Sequence, residues 1–287
     1  MRLEGRREST NVDDRRGMSG GGKKASLGIG GMIIVGIIIY FMGGNPLDVL
    51  QQTGGLNVSG GPDTEYVPTE EDQKLATFSK TIFASTEDVW TEIFAQNGRQ
   101  YRSPKLVLYS GATSSGCGNA SSSTGPFYCS ADQSVYIDLS FFQEMESQLK
   151  AGGDFAYAYV IAHEVGHHVQ YLLGTLDQVH QQQRGLSEKE SNRLNVRPEL
   201  QADFFAGVWA YHENQKYNSL EAGDVEEGMN AASQIGDDRL QKESQGYVVP
   251  DAFNHGTSDQ RMRWLKKGLS TGNPADGNTF ALDYSQL

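Results

Sequence analysis

The chain has 287 residues, with 24 Lys+Arg against 36 Asp+Glu and a formal net charge of −12. That acidic balance argues against a nucleic-acid partner, whose binding proteins carry a basic footprint. A 37% hydrophobic and 10% aromatic content excludes wholesale disorder, and the length allows one sizeable domain or two small ones.

Glycine and charge are unevenly spread. Fifteen of the 34 glycines fall in residues 1–61, and residues 1–26 carry seven basic and four acidic side chains, a net +3. This stretch reads as a basic cytoplasmic tail. Residues 25–44 contain no charge and include an apolar run at 32–42. Twenty helical residues cover about 30 Å, the thickness of a bilayer's hydrocarbon core, so residues 27–44 read as a transmembrane anchor rather than a buried core helix. A cleaved signal peptide would have a shorter apolar region ending in a small-residue cleavage site, whereas Gly43-Gly44-Asn45-Pro46 follows here. The positive-inside rule then puts the tail in the cytoplasm and everything after the span outside. Residues 45–68, rich in Gly, Pro, Ser and Thr, read as a flexible linker, and residues 69–287 as the folded domain.

Within the domain, Lys105–Tyr109 and residues 135–139 alternate and are rich in β-branched or aromatic side chains, which predicts two paired strands. A strand beside the functional helix can accept an extended peptide along its edge; an interior position in the sheet is the alternative. Cys117 and Cys129 are the only cysteines and enclose a Ser/Gly-rich loop. A disulfide suits the outside assignment, although spacing alone does not separate it from two free thiols.

Residues 155–173 have helical apolar periodicity, with Gly174 placed as a stop. Inside this helix lies His163-Glu164-Val165-Gly166-His167. Positions i and i+4 share a face, so both imidazoles can converge on one metal ion. Glu164, rotated about 100° from His163, is placed to take a proton from water rather than to ligate. A catalytic zinc needs a third protein ligand and an open position. Glu199 is the candidate, with Asp203 four residues on to accept a ring N–H from a ligating histidine. Pro198 suggests that this second helix begins close by. A solvated helix face is the alternative, but Leu200, Ala202, Phe204, Phe205 and Ala206 make the helix apolar.

The remaining histidines carry weaker signals. His168 points away from His167 and reads as structural; His180 and His212 read as solvated. His255 opens a loop into a helix capped by Thr257 or Ser258. It serves either to stabilise an oxyanion or only to shape the loop, with Tyr211 and Tyr247 as lesser candidates for the first task.

The Gly5 to Gly17 segment, the single apolar span, Cys117-Gly118 to Tyr128-Cys129, His163 to His168, Glu199-Leu200-Gln201-Ala202-Asp203 and His255-Gly256-Thr257-Ser258 resemble, in order, the bacterial neutral zinc metallopeptidases. The resemblance implies an α+β, mainly helical zincin-like metallopeptidase domain of the thermolysin type with a small β-sheet. It also implies His163, His167 and Glu199 as Zn²⁺ ligands and Glu164 as the base. One departure is Phe204, where the family pattern has cysteine. The resulting expectation is a zinc metalloendopeptidase acting on peptide or protein substrates. It would be held to membrane lipid by its N-terminal helix, single-pass in the bacterial inner membrane, with the N-terminus inside and the catalytic domain periplasmic. The rival from another class is a non-catalytic extracytoplasmic adaptor or chaperone with structural zinc. Such sites are closed by a fourth Cys or His, and neither cysteine has the spacing for it.

Overall fold

The computed structural model describes residues 1–17 and 67–287. The expected anchor at 27–44 and nearly all of the expected linker at 45–68 lie outside the described residues. No helix among the described residues is long and apolar enough to cross a membrane.

The sheet is small and mixed. Strands β1 (Val12–Asp14), β2 (Lys105–Tyr109), β5 (Phe127–Cys129) and β6 (Ser134–Asp138) lie in the order β1-β2-β6-β5, while β3 (Ala112–Ser115) and β4 (Gly118–Ser121) form a separate hairpin. β1, β2 and β6 run parallel and β5 is antiparallel to β6. The two strands expected from alternation are therefore neighbours, and both are interior. The edge next to the functional helix is β5, which at three residues is too short to show alternation. The Cys117–Cys129 disulfide, with its Cα atoms 5.8 Å apart, ties the end of β5 to the loop before β4.

Residues 1–17 belong to this domain. They supply β1 and are not the free basic tail that their charge suggests, because their arginines find carboxylates on the domain itself.

Eight helices follow among the described residues: α1 (Glu70–Gln96), α2 (Ser140–Ser147), α3 (Asp154–Leu173), α4 (Thr175–Gln183), α5 (Glu188–Tyr217), α6 (Asp224–Gln234), α7 (Asp237–Gln245) and α8 (Ser258–Thr271). The chain is thus α+β and mainly helical. α3 ends as expected at Gly174, whose φ of 79° is the left-handed cap that glycine takes without strain. α5 departs from expectation. Pro198 lies inside it, because a Ser187/Glu190 capping box starts the helix eleven residues earlier.

α3 and α5 are the central pair, and their spacing is set by small residues. A Cβ on Gly166 would stand 3.1 Å from the Ala202 Cα and carbonyl oxygen. The glycine of the His-Glu-Val-Gly-His run therefore lets α5 lie close against the histidines. Gly207 of α5 and Gly268 of α8 touch each other's backbones in the same way, bringing α8 against the far side of α5. Phe155, Val165, Leu200, Phe204, Trp209 and Leu265 fill the core between these helices, each buried.

Candidate metal centre

One stripe of α3 carries Tyr159, His163, His167 and Gln170, at helical spacings of four, four and three. The two imidazoles that result stand with ring centroids 4.8 Å apart, at 89° to each other. Across the close α3–α5 contact, Glu199 meets both: Oε2 lies 3.3 Å from His163 Nε2 and Oε1 lies 3.5 Å from His167 Nε2. One ligand atom from each of the three residues falls within 4.8 Å of the others. A tetrahedron with metal–ligand bonds of about 2.0–2.1 Å has edges of about 3.3 Å, so the two Glu199 contacts match such edges and the group could hold a single ion on two nitrogens and one carboxylate. Among the described residues no other His/Cys/Asp/Glu group converges in this way.

The outer partners fix which nitrogen faces the point between the three donors. Asp203, fully buried, accepts the His163 Nδ1–H at 2.8 Å, leaving Nε2 free to ligate. The same carboxylate accepts the Tyr159 hydroxyl at 2.6 Å and two N–H groups of Arg261, both at 2.9 Å. Arg261 is itself buried, and it also donates to Tyr159 Oη and to the Ile235 carbonyl. His167 donates its Nδ1–H to Gln170 Oε1 at 2.9 Å. Gln170 is oriented in turn by donating to the Pro198 carbonyl and to Gln201. Arg261 and Gln170 are positioning residues that the motifs do not reveal. The signal for Arg261 was its place on the apolar stripe of α8, sharing a face with Trp264, Leu265 and Gly268.

Electrostatically the centre favours a cation. Burial alone would raise the Glu199 pKa, but His167, then His255, and hydrogen bonds from His163 and His167 hold it well below the usual carboxylate range. Asp203 is likewise held down to about 2 against burial, by Arg261 and then His163. Burial would depress the two histidines, yet the facing carboxylates keep both raised.

Glu164 lines the same cleft as the three donors, and so does His255. The His255 Nδ1 lies 3.3 Å from Asp237 Oδ1, while Asp237 Oδ2 accepts the backbone N–H groups of Asn254, His255 and Gly256 at 2.8–2.9 Å. Asp237 thus shapes the loop, and the helix cap is Thr257, which leaves the His255 ring in the cleft. His180 sits exposed at the cleft rim.

The other candidates are elsewhere. Tyr211 packs on Gly272, His212 donates to the Gly272 carbonyl at 2.8 Å instead of being solvated, and Tyr247 is exposed; none of the three lines the cleft. His168 is structural. It is buried, donates through Nε2 to the Arg102 carbonyl, accepts the Tyr128 hydroxyl, and burial pushes its pKa down to about 4.

The cleft walls are largely apolar. Phe141, Leu149, Val160, Ile235 and Leu240 line one part, and the disulfide-closed loop contributes residues 124–128.

The profile of a family described as "Putative neutral zinc metallopeptidase" matches residues 1–280. The chain is 51% identical to "Uncharacterized protein YpfJ" of Escherichia coli K12 over 286 residues, covering 98% of this chain and 99% of that one. It is 40% identical to "Uncharacterized protein Rv2575" of Mycobacterium tuberculosis H37Rv over 207 residues, 69% of this chain and 68% of that one. No solved structure matches.

Proposed function

The chain belongs to the family described as "Putative neutral zinc metallopeptidase", and from that premise we propose that it is a zinc-dependent metalloendopeptidase with a zincin-like arrangement of its two central helices. The observation that carries the proposal is the convergence of His163, His167 and Glu199 on one point, with Glu164 in the same cleft. Imidazole and carboxylate donors suit Zn²⁺. Three protein donors leave a coordination position for chemistry, and both cysteines are committed to a disulfide, which disfavours a closed structural site and with it the adaptor reading.

A bound zinc ion supplies Lewis acidity, acidifying water and polarising a peptide carbonyl. The rest is done by the chain. Glu164 takes the proton of the attacking water and returns it to the leaving amine. His255, steadied by Asp237, donates a hydrogen bond to the oxyanion that develops on the substrate carbonyl. The Tyr159–Asp203–Arg261 cluster holds the His163 ring in place throughout.

The substrate is an extended peptide. β5 borders the cleft through Phe127 and Tyr128 and has no strand on its outer side among the described residues, so a peptide backbone can pair there while its apolar side chains meet the cleft wall. The uncharged run at residues 25–44 supports attachment to membrane lipid, and the disulfide supports a periplasmic setting at the inner membrane. Elemental analysis of the purified full chain, paired with cleavage of a peptide library, tests the reading. One zinc per chain, lost with activity to a chelator and regained with zinc, is expected. No stoichiometric metal, or four protein ligands by X-ray absorption, overturns it.

A further inference from the structure

Residues 1–17 are separated from the next described residue by a 49-residue segment, yet they are bound into the domain along most of their length. β1 pairs with β2 in parallel register. At the two ends of β1 the Leu106 N–H donates to the Asn11 carbonyl at 3.0 Å and the Arg15 N–H donates to the Leu108 carbonyl at 2.7 Å. Ahead of the strand, Arg6 forms a fork on Glu213 of α5, at 2.7 and 3.3 Å, and stacks 3.4 Å over the Tyr217 ring. Glu213 is fully buried, and its second oxygen also receives the Ser85 hydroxyl, which in turn accepts the Trp209 indole N–H. A carboxylate buried this deeply needs a cationic partner, and residue 6 supplies it. Ser9, also buried, joins α1 through the Lys80 carbonyl and the Glu87 carboxylate.

The flanking arginines are consumed in the same way. Arg7 pairs with Glu87 and Asp88 on α1, Arg15 with Asp13, and Arg16 with Asp14 while donating to the Asp72 carbonyl. A span is oriented by basic residues free to stay on the cytoplasmic face; these are neutralised within the fold.

We infer that residues 1–17 and residues 67–287 occupy the same side of the membrane as one folded unit. Paired strands stand about 4.8 Å apart, whereas one traverse puts its flanks on opposite sides of a core about 30 Å thick. On this proposal the expected arrangement, with the N-terminus inside and the domain outside, does not hold. This inference does not depend on the peptidase reading.

Thr10 and Lys266 are both exposed, and the native cysteines are bonded to each other. Thr10→Cys and Lys266→Cys, made separately in the full-length chain, therefore give single reactive thiols at harmless positions. Each is labelled with a membrane-impermeant maleimide in spheroplasts, before and after the inner membrane is opened with detergent. Equal behaviour of the two positions, whether both labelled at once or both only after opening, is the expected result. Labelling of one position in sealed spheroplasts while the other appears only after opening overturns the inference.

Discussion

Replacing Arg261 with methionine removes the guanidinium but keeps much of the side chain's volume. In the wild-type protein two of its N–H groups, each at 2.9 Å, hold both oxygens of Asp203 in a site where neither residue meets water. Breaking a buried pair by deleting one partner costs about 3–5 kcal/mol. Tyr159 and His163 still donate to Asp203 in the variant, so the low end, about 3 kcal/mol, is the expected loss. For a domain of this size that lowers Tm by roughly 6–12 °C. Asp203 is also what orients His163, and loss of such outer support weakens metal affinity about 10- to 100-fold. Thermal denaturation of the zinc-free protein reads the first effect, and competition against a chromogenic zinc chelator reads the second. Arg261→Lys keeps the charge but not the fork and should fall between. Asp203→Asn should weaken zinc to the same degree, and the double variant should be no worse, because both act through one ring. An Arg261→Met protein with wild-type Tm and wild-type zinc affinity would refute the positioning role.

Gly166→Ala gains about 1 kcal/mol of helix propensity. It also drives a methyl against the Ala202 backbone, an overpacking cost of about 1–3 kcal/mol; a net loss of stability and a lower kcat are expected from chemical denaturation and peptide assays. Reducing the Cys117–Cys129 disulfide should cost about 3 kcal/mol on the chain-entropy model and, if the proposed peptide lies along β5, raise KM more than it lowers kcat, because β5 borders the cleft. Glu144 is pushed up to about 8 from an ordinary 4.5, first by burial and then by Asp138. The folded protein therefore keeps a proton that the unfolded chain has released, so this group's contribution to stability falls as pH rises from about 4.5 to about 8 and is level above that. Glu144→Gln should flatten the Tm profile across that window.

The candidate metal site was legible as a cluster because its residues repeat at helical spacing. His163 with His167 and Glu199 with Asp203 are each i, i+4 pairs, and an i, i+4 pair on a helix is a statement about space. The disulfide and the two interior strands were legible for similarly local reasons: a short loop between the only cysteines, and alternation over five residues.

What escaped was long-range. Nothing near Arg6 announces a buried Glu213 some two hundred residues away, so a basic segment beside an apolar run reads as a flank rather than a strand. Arg261 looks like an ordinary surface charge until its place on the apolar face of α8 is weighed. Pro198 misleads as a helix start because the Ser187/Glu190 capping box upstream is the stronger signal and proline's lost N–H bond can be tolerated within a packed helix. The edge strand β5 is too short for periodicity and is defined by its pairing to β6 and its disulfide.

The central claim is that Glu164 performs the proton transfer in a peptidase whose metal is held by other residues. Glu164→Gln, assayed with a peptide the wild-type protein cleaves and with zinc content measured on the same sample, tests it most directly. One zinc per chain in both proteins and a fall in kcat/KM of at least about 100-fold in the variant, the scale of general acid–base catalysis, are expected. Wild-type cleavage by Glu164→Gln with its zinc in place would contradict it.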